Sequence, residues 1–303
     1  MRWFETPTFD FISTHRKAYI LSGVLFIASL VVIFTKGLQY GIDFRGGKEF
    51  VVSFDTPVEV ADVRSSLTES LGSVPEVKFF GADTDVLIRT DAEGEMNDVQ
   101  NALTSTLTEA FGDNGFEILS NYLVSARFAE DLKFGAINSV IFAVVVIFLY
   151  ILIRFRYWYY SLGAVVALVH DVTIVLGLFT LLSDWVPFSL QIDQAIIAAF
   201  LTIVGYSLND TVVVFDRIRE NSMVYKTMDY PEMVNRSLND TLSRTVITSL
   251  TTLFVVAILF VFGGEVLKGF SFALLIGVII GTYSSLFIAS AMIVELKMRK
   301  KPA

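Results

Sequence analysis

Hydrophobic positions in this chain fall into six long runs, interrupted by one long polar segment and several short basic ones. Ala18–Thr35 holds 18 residues without a charge, between Arg16–Lys17 and Lys36, and Phe134–Ile153 holds 20, between Lys133 and Arg154. Leu162–Leu182 is interrupted by His170 and Asp171, and Gln194–Phe215 carries Asn209 and Asp210 toward its end. Thr245–Gly264 and Gly269–Val294 complete the set. A bilayer core of about 30 Å takes about 20 apolar residues at 1.5 Å per residue, whereas barrel strands are short alternating segments of about ten. The pattern predicts six transmembrane helices, the last long enough to tilt.

The polar segment, 36–133, has the alternations and stops of a folded domain. Lys48–Phe54 reads as a strand. Thr56-Pro57-Val58-Glu59 predicts a capping box opening a helix that runs to about Leu71 and stops at Gly72. Val77–Phe80 and Asp85–Thr90 read as strands about a Gly81-Ala82-Asp83 turn. A helix over Met96–Phe111 and a strand over Phe116–Val124 follow. The order β-α-β-β-α-β is ferredoxin-like. The expected fold is an α-helical polytopic membrane protein with an α+β ferredoxin-like extracytoplasmic domain between helices one and two. Its expected divisions are an N-terminus 1–17, a span 18–35, a domain 36–133 with a hinge at 37–47, spans 134–153, 162–182, 194–215, 245–264 and 269–294, and a tail 295–303.

Charge orients these spans. The first seventeen residues, the segments 154–161 and 216–244, and the tail together hold 14 Lys and Arg, while 183–193 and 265–268 hold only Lys268. Cytoplasmic loops carry the basic excess, so both termini are expected in the cytoplasm of a multi-pass inner-membrane protein, with the domain outside. Tyr157, Trp158, Tyr159 and Tyr160 read as one interfacial belt and Trp185 marks the other interface. Phe34-Thr35-Lys36 offers no small-residue cleavage site, so the first span is expected to stay as an anchor.

Composition agrees: 54% of 303 residues are hydrophobic and 18% charged, with a mean hydropathy of +0.62. The formal charge is −8, and 36–133 alone carries 18 Asp and Glu against eight Lys and Arg, which argues against nucleic acid as a partner. Cysteine is absent and His15 and His170 are the two histidines, so thiol catalysis, iron–sulfur chemistry, a histidine metal site and a serine triad are not expected, nor is any cofactor. Gly41-Ile42-Asp43-Phe44-Arg45-Gly46-Gly47-Lys48 superficially resembles a phosphate loop. However, a Walker motif needs its Lys-Ser/Thr pair at the head of a helix, and here Glu49 and a strand follow. Three glycines there permit unusual backbone angles, as in a turn-rich joint or hinge.

Polar groups at bilayer depth are the candidate chemistry. A carboxylate there costs about 2.5–3.5 kcal/mol by insertion scales and usually faces a cavity or partner. Asp171 lies near mid-membrane. Asp210 follows Asn209, and Tyr206 sits one helical turn before it. Arg244 opens span five, with Thr248 and Thr251 or Thr252 continuing its stripe, and could meet Asp210 if spans four and five are neighbours. Plainer readings stand beside these: an interfacial Arg244, an interhelical hydrogen bond at Asp210, and a packing pair of His170 with Asp171. Gly277, Gly281 and Ser285, spaced by four, read as a close-packing face. On the functional reading, a desolvated carboxylate binds and releases protons as water access alternates, with an arginine switching its affinity.

Four strings carry a family resemblance: Gly41–Gly47, Gly205-Tyr206-Ser207-Leu208-Asn209-Asp210 with its continuation to Asn221, Leu242-Ser243-Arg244-Thr245, and Gly281-Thr282-Tyr283-Ser284-Ser285. The chain resembles the SecD/SecF family over its whole length, as a SecF-type half within the resistance–nodulation–division superfamily. The resemblance implies a heterodimer with SecD, association with the SecYEG channel and often YajC and YidC, and use of the proton gradient to draw unfolded preprotein outward. It implies that Asp210 and Arg244 belong to the proton pathway, facing a carboxylate of SecD, and that Asp43 and Arg45 lie in the coupling joint. A small-molecule or lipid exporter and a purely structural subunit are the alternatives; a membrane enzyme is the weakest.

Overall fold

The computed structural model of the protein describes residues 8–299. Arg2, Lys300 and Lys301, counted above on the basic side, lie outside them. In chain order, α1 (Phe11–Lys36) leads through a short α2 (Ile42–Arg45) into β1 (Gly47–Phe54), α3 (Val60–Leu71), β2 (Glu76–Phe80), β3 (Ala82–Thr90), α4 (Met96–Phe111) and β4 (Phe116–Val124). Then come α5 (Ala126–Phe155), α6 (Trp158–Leu182), α7 (Gln194–Val224), α8 (Tyr230–Phe262) and α9 (Glu265–Ser284), the last passing through a π-helical turn at Ser285–Ala289 into α10 (Ser290–Arg299). Six helical rods are long and apolar enough to cross a bilayer: α1, α5, α6, α7, α8 and the α9–α10 rod. The domain is inserted between the first and the second of these rods.

The domain's sheet has the antiparallel order β2-β3-β1-β4, the ferredoxin-like arrangement expected. Its core is built from alternate positions of β1 (Phe50, Val52, Phe54) and β3 (Val86, Ile88), covered by Val63, Leu67 and Leu71 of α3 and Val99, Leu103 and Leu107 of α4. These helical positions recur every four residues, so each helix turns one apolar stripe to the sheet. Gly72 ends α3 in a left-handed conformation at φ 67°. The predicted capping box does not form. Helix α3 starts after Glu59, because Asn114 accepts from the Thr56 backbone N–H and donates to the Thr56 carbonyl, holding that segment as a loop.

In the membrane part, packing is arranged inside out relative to a soluble protein. On α1 the long apolar side chains Ile20, Val24, Ile27, Val31 and Phe34 are exposed, while Ala18, Ser22 and Ser29 are buried. Lipid is as apolar as leucine, so interfaces favour small residues that let backbones approach. Ser29 meets α6 at Gly177, where a Cβ would come within 2.3 Å of the serine's. Gly277 and Gly281 do the same for α9 against α7. A Cβ at Gly277 would fall 2.4 Å from Ile203, and one at Gly281 2.9 Å from Ser207.

Two sequence expectations are corrected here. Tyr159 and Tyr160 are not belt residues: they are buried, packed on each other, with Tyr160 also against Phe155 and Phe215, leaving Tyr157 and Trp158 exposed. The polar stretch 216–244, read as a loop, is mostly helix, with only 225–229 connecting α7 to α8. Its polar residues pair across the two helices: the Asn221 side-chain amide donates to Ser237 Oγ (2.9 Å) and Asp240 Oδ2 (3.1 Å).

Candidate functional site

Helices α6, α7, α8 and α9 meet around two buried carboxylates. Asp210 lies 16 residues into α7, roughly 24 Å along its axis from the domain end. Its Oδ1 accepts from Thr245 Oγ1 of α8 (3.1 Å) and its Oδ2 from Ser285 Oγ (3.4 Å). Asp171 is fully buried. Its Oδ2 accepts from Ser207 Oγ of α7 (2.6 Å) and Ser284 Oγ of α9 (2.7 Å), and its Oδ1 lies 2.9 Å from His170 Nδ1. Ser207 is three residues before Asp210, and Ser284 precedes Ser285. The two acids are therefore linked twice: through α7, which carries Asp210 and holds Asp171 by Ser207, and through the adjacent serines Ser284 and Ser285. The junction where α9 gives way to the π-helical turn lies between Ser284 and Ser285. Such turns are frequent at functional sites because they rotate side chains out of the regular register.

The sequence-expected residues divide. Ser285 is more than a packing residue, since it reaches Asp210, whereas Gly277 and Gly281 serve close approach. Tyr206 does not touch Asp210; its hydroxyl donates to Ser249 of α8 (3.3 Å), which is 2.6 Å from Thr282 of α9. Asn209 is exposed on another side of α7. Arg244 is exposed, and among the described residues no hydrogen bond or ion pair reaches its guanidinium. The neighbouring Thr245 makes the hydrogen bond at Asp210, on which the Arg244 charge acts only electrostatically. His170 does pair with Asp171, while its buried Nε2 has no partner among the described residues. Thr245, Ser207 and Ser284 were missed, although all three stand inside the quoted strings, within three residues of a singled-out position.

A second polar site joins the domain to the membrane part. Tyr40 and Ile192 form a parallel bridge: the Gly41 N–H donates to the Ile192 carbonyl (2.9 Å) and the Ile192 N–H to that of Gln39 (2.7 Å). Asp43 Oδ2 accepts from the Gln194 N–H (3.1 Å) and Asp193 Oδ1 from that of Ile196 (2.8 Å). Both carboxylates thus cap the N-terminus of α7, where the helix dipole favours negative charge. Gly46 and Gly47 take φ values of 79° and 144°, and a Cβ at Gly47 would come 2.9 Å from the Thr90 carbonyl oxygen, so these two glycines are required. Gly41, at φ −72°, has ordinary geometry. Arg45 is exposed.

From the domain side, Arg89 of β3 donates to Glu49 Oε2 (2.7 Å) and lies 3.9 Å from Glu76. With Asp43, Asp193, Ile42 and Tyr122 it lines a polar cavity of about 160 Å³. Burial opposes the Arg89 charge, but Glu49, Glu76 and Asp193 outweigh it and hold its pKa above the ordinary value. Burial pushes the Asp193 carboxyl up, with nearby Asp43 reinforcing it against Ile196 N–H and Arg89. Sequence reasoning found Asp43 and missed Arg89, Glu49, Glu76 and Asp193, because nothing local brings 49, 76, 89 and 193 together.

The fold and these two sites define a class: a six-helix membrane protein with two buried acids, one of them on the helix to which a ferredoxin-like domain is fastened. The family description "Protein export membrane protein SecD/SecF, C-terminal" matches residues 103–299, and "SecD/SecF GG Motif" matches 31–58. The chain is 58% identical to protein translocase subunit SecF of Rhodothermus marinus, over 99% of this chain and 96% of that one. It is 38% identical to that of Haemophilus influenzae, over 97% and 88%. The crystal structure of SecDF, a translocon-associated membrane protein from Thermus thermophilus, superposes with a TM-score of 0.82 at 35% identity. It covers 98% of this chain, which spans 40% of that longer polypeptide. A SecDF structure in a super-membrane-facing form gives 0.71 at 34%, with the same coverage. The chain belongs to the SecD/SecF family of protein-export membrane proteins, as a SecF-type translocase subunit.

Proposed function

We propose that this subunit, paired with a SecD-type half, converts proton flow into movement of its external domain to assist late stages of preprotein export through a SecYEG channel, with YajC and YidC as further partners. One observation carries the reading. Asp210 is buried at bilayer depth with hydroxyls as its hydrogen-bond partners among the described residues, on the helix whose other end is pinned to the joint by Asp43. Hydroxyl partners accommodate either protonation state, donating to the carboxylate or accepting from the acid. A change at Asp210 that shifts or rotates α7 is delivered to the Tyr40–Asp43 segment by the Asp43 side-chain bond to Gln194 and by the backbone bonds at Ile192 just before the helix. One charge crossing 100 mV releases about 2.3 kcal/mol, enough to bias a two-state domain about fiftyfold. On this reading Arg244, exposed on α8, meets a carboxylate of the partner half; its exposure supports that role. The basic excess on the face opposite the domain supports an inner-membrane protein with both termini in the cytoplasm.

The test is export driven by a proton gradient in vesicles carrying Asp210→Asn. The variant is expected to fold and pair normally while its gradient-dependent export is lost. Undiminished gradient dependence refutes the proposal. Loss of export only in proportion to loss of complex favours a purely structural subunit, the reading that Asp210's interhelical hydrogen bonds would also support.

A further inference from the structure

An apolar cleft of about 250 Å³ opens between α5, α6 and α7 beneath the joint. Its reach can be measured along each wall. Ile197 to Val204 on α7 is seven residues, about 11 Å; Lys133 to Ile141 on α5 is eight, about 12 Å; on α6 Val172 and Leu176 stand four apart, about 6 Å. These depths are all less than half of a hydrocarbon core of about 30 Å, so the cleft stays within one leaflet, the one next to the domain. Its lining is apolar down the whole depth, and its mouth holds one cation, Lys133, with Nζ 4.6 Å from the centre of the Tyr40 ring. Among the described residues no carboxylate pairs with Lys133. Ile137 and Ile141, on the lip, are 47% and 56% exposed.

We propose that this cleft binds one anionic phospholipid of the domain-side leaflet, an acyl chain filling the groove and the phosphate resting on Lys133. The charge at the head and the apolar wall below it match the two ends of such a lipid, and the groove takes the upper part of its chain. A second transmembrane polypeptide segment would not stop within one leaflet, where this cleft does. Bound there, the lipid touches the joint through Tyr40 and Phe44 and the acid-bearing helix through Phe200 and Val204. It is thus a structural ligand of the junction between them.

The test is native mass spectrometry of the full chain purified with its SecD-type partner from vesicles of phosphatidylethanolamine and phosphatidylglycerol in equal amounts. One phosphatidylglycerol per copy of this chain is expected to survive activation. Lys133→Gln should lower the preference for phosphatidylglycerol about fivefold, the effect of one lysine near a membrane surface. Val140→Trp, which fills the groove, should abolish the adduct. Unchanged adducts in Val140→Trp, or no preference in the unaltered protein, overturn the proposal. Ile137→benzoylphenylalanine gives a readout that does not depend on filling the core. On illumination a lipid-sized mass addition supports the proposal, and a cross-link to the partner polypeptide overturns it.

Discussion

Replacing Arg89 with methionine separates a structural joint from an incidental contact. The guanidinium is 18% exposed and its partners Glu49 and Glu76 are 22% and 19% exposed, so all three are largely desolvated. Arg89→Met keeps the side chain's packing but leaves Glu49 and Asp193 without the cation they share, with Asp43 lining the same cavity and Glu76 left to Lys78 alone. Removing one partner of a fully buried pair costs about 3–5 kcal/mol, and exposed pairs are worth about 0–1. With about a fifth of each group in water, about 2–3 kcal/mol of destabilisation of the joint is expected. That is roughly a 30–150-fold rise in its opening. Hydrogen exchange read peptide by peptide on the complex in nanodiscs checks it. The amides of Gly41 and Ile192, which close the bridge, should exchange faster, while those within β1, β3 and α7 should not. The double variant Arg89→Met with Glu49→Gln should recover part of the loss, because it removes the stranded charge as well. Unchanged exchange at Gly41 and Ile192, or a double variant no better than the single, refutes the claim that Arg89 holds the joint closed.

Three further outcomes follow from the same geometry. Because the Asp193 carboxyl is pushed above its ordinary value near 4, the folded joint binds that proton more tightly than the unfolded chain does. Ionising Asp193 therefore costs stability, which is intact at low pH and lost as pH rises through the raised value. Asp193→Asn preserves the helix cap and should remove that component of the pH dependence of thermal unfolding; an identical pH profile would contradict the assignment. Gly277→Val should lower complex stability by about 1–3 kcal/mol, read as detergent-resistant complex yield, because its Cβ must displace the buried Ile203. Asp171→Asn should cost no more than about 1.7 kcal/mol of thermal stability, since intramembrane hydrogen bonds are individually modest. If Asp171 only clasps helices, its substitution will leave gradient dependence intact, and that comparison with Asp210→Asn is read in the same export assay.

Much of this protein is local in origin and legible along the chain. Twenty uncharged residues in a row cross a bilayer whatever their neighbours, and α4 and β4 end at the residues their periodicity and turns predict, because those signals act over a few residues. Asp171 and Asp210 stand out for the same reason: a charge inside an apolar run is conspicuous anywhere.

What each helix faces is a different kind of fact. In water an apolar stripe announces the buried side, but in lipid both sides of a helix are apolar. The chain therefore does not say that Tyr160 turns inward, that Ser29 meets Gly177, or that Thr245 and not Arg244 reaches Asp210. Those outcomes are set by where glycines and serines let backbones approach. The joint is still less local. Arg89, Glu49 and Asp193 come from three separate elements, and only when the sheet settles on the N-terminus of α7 do they become one site.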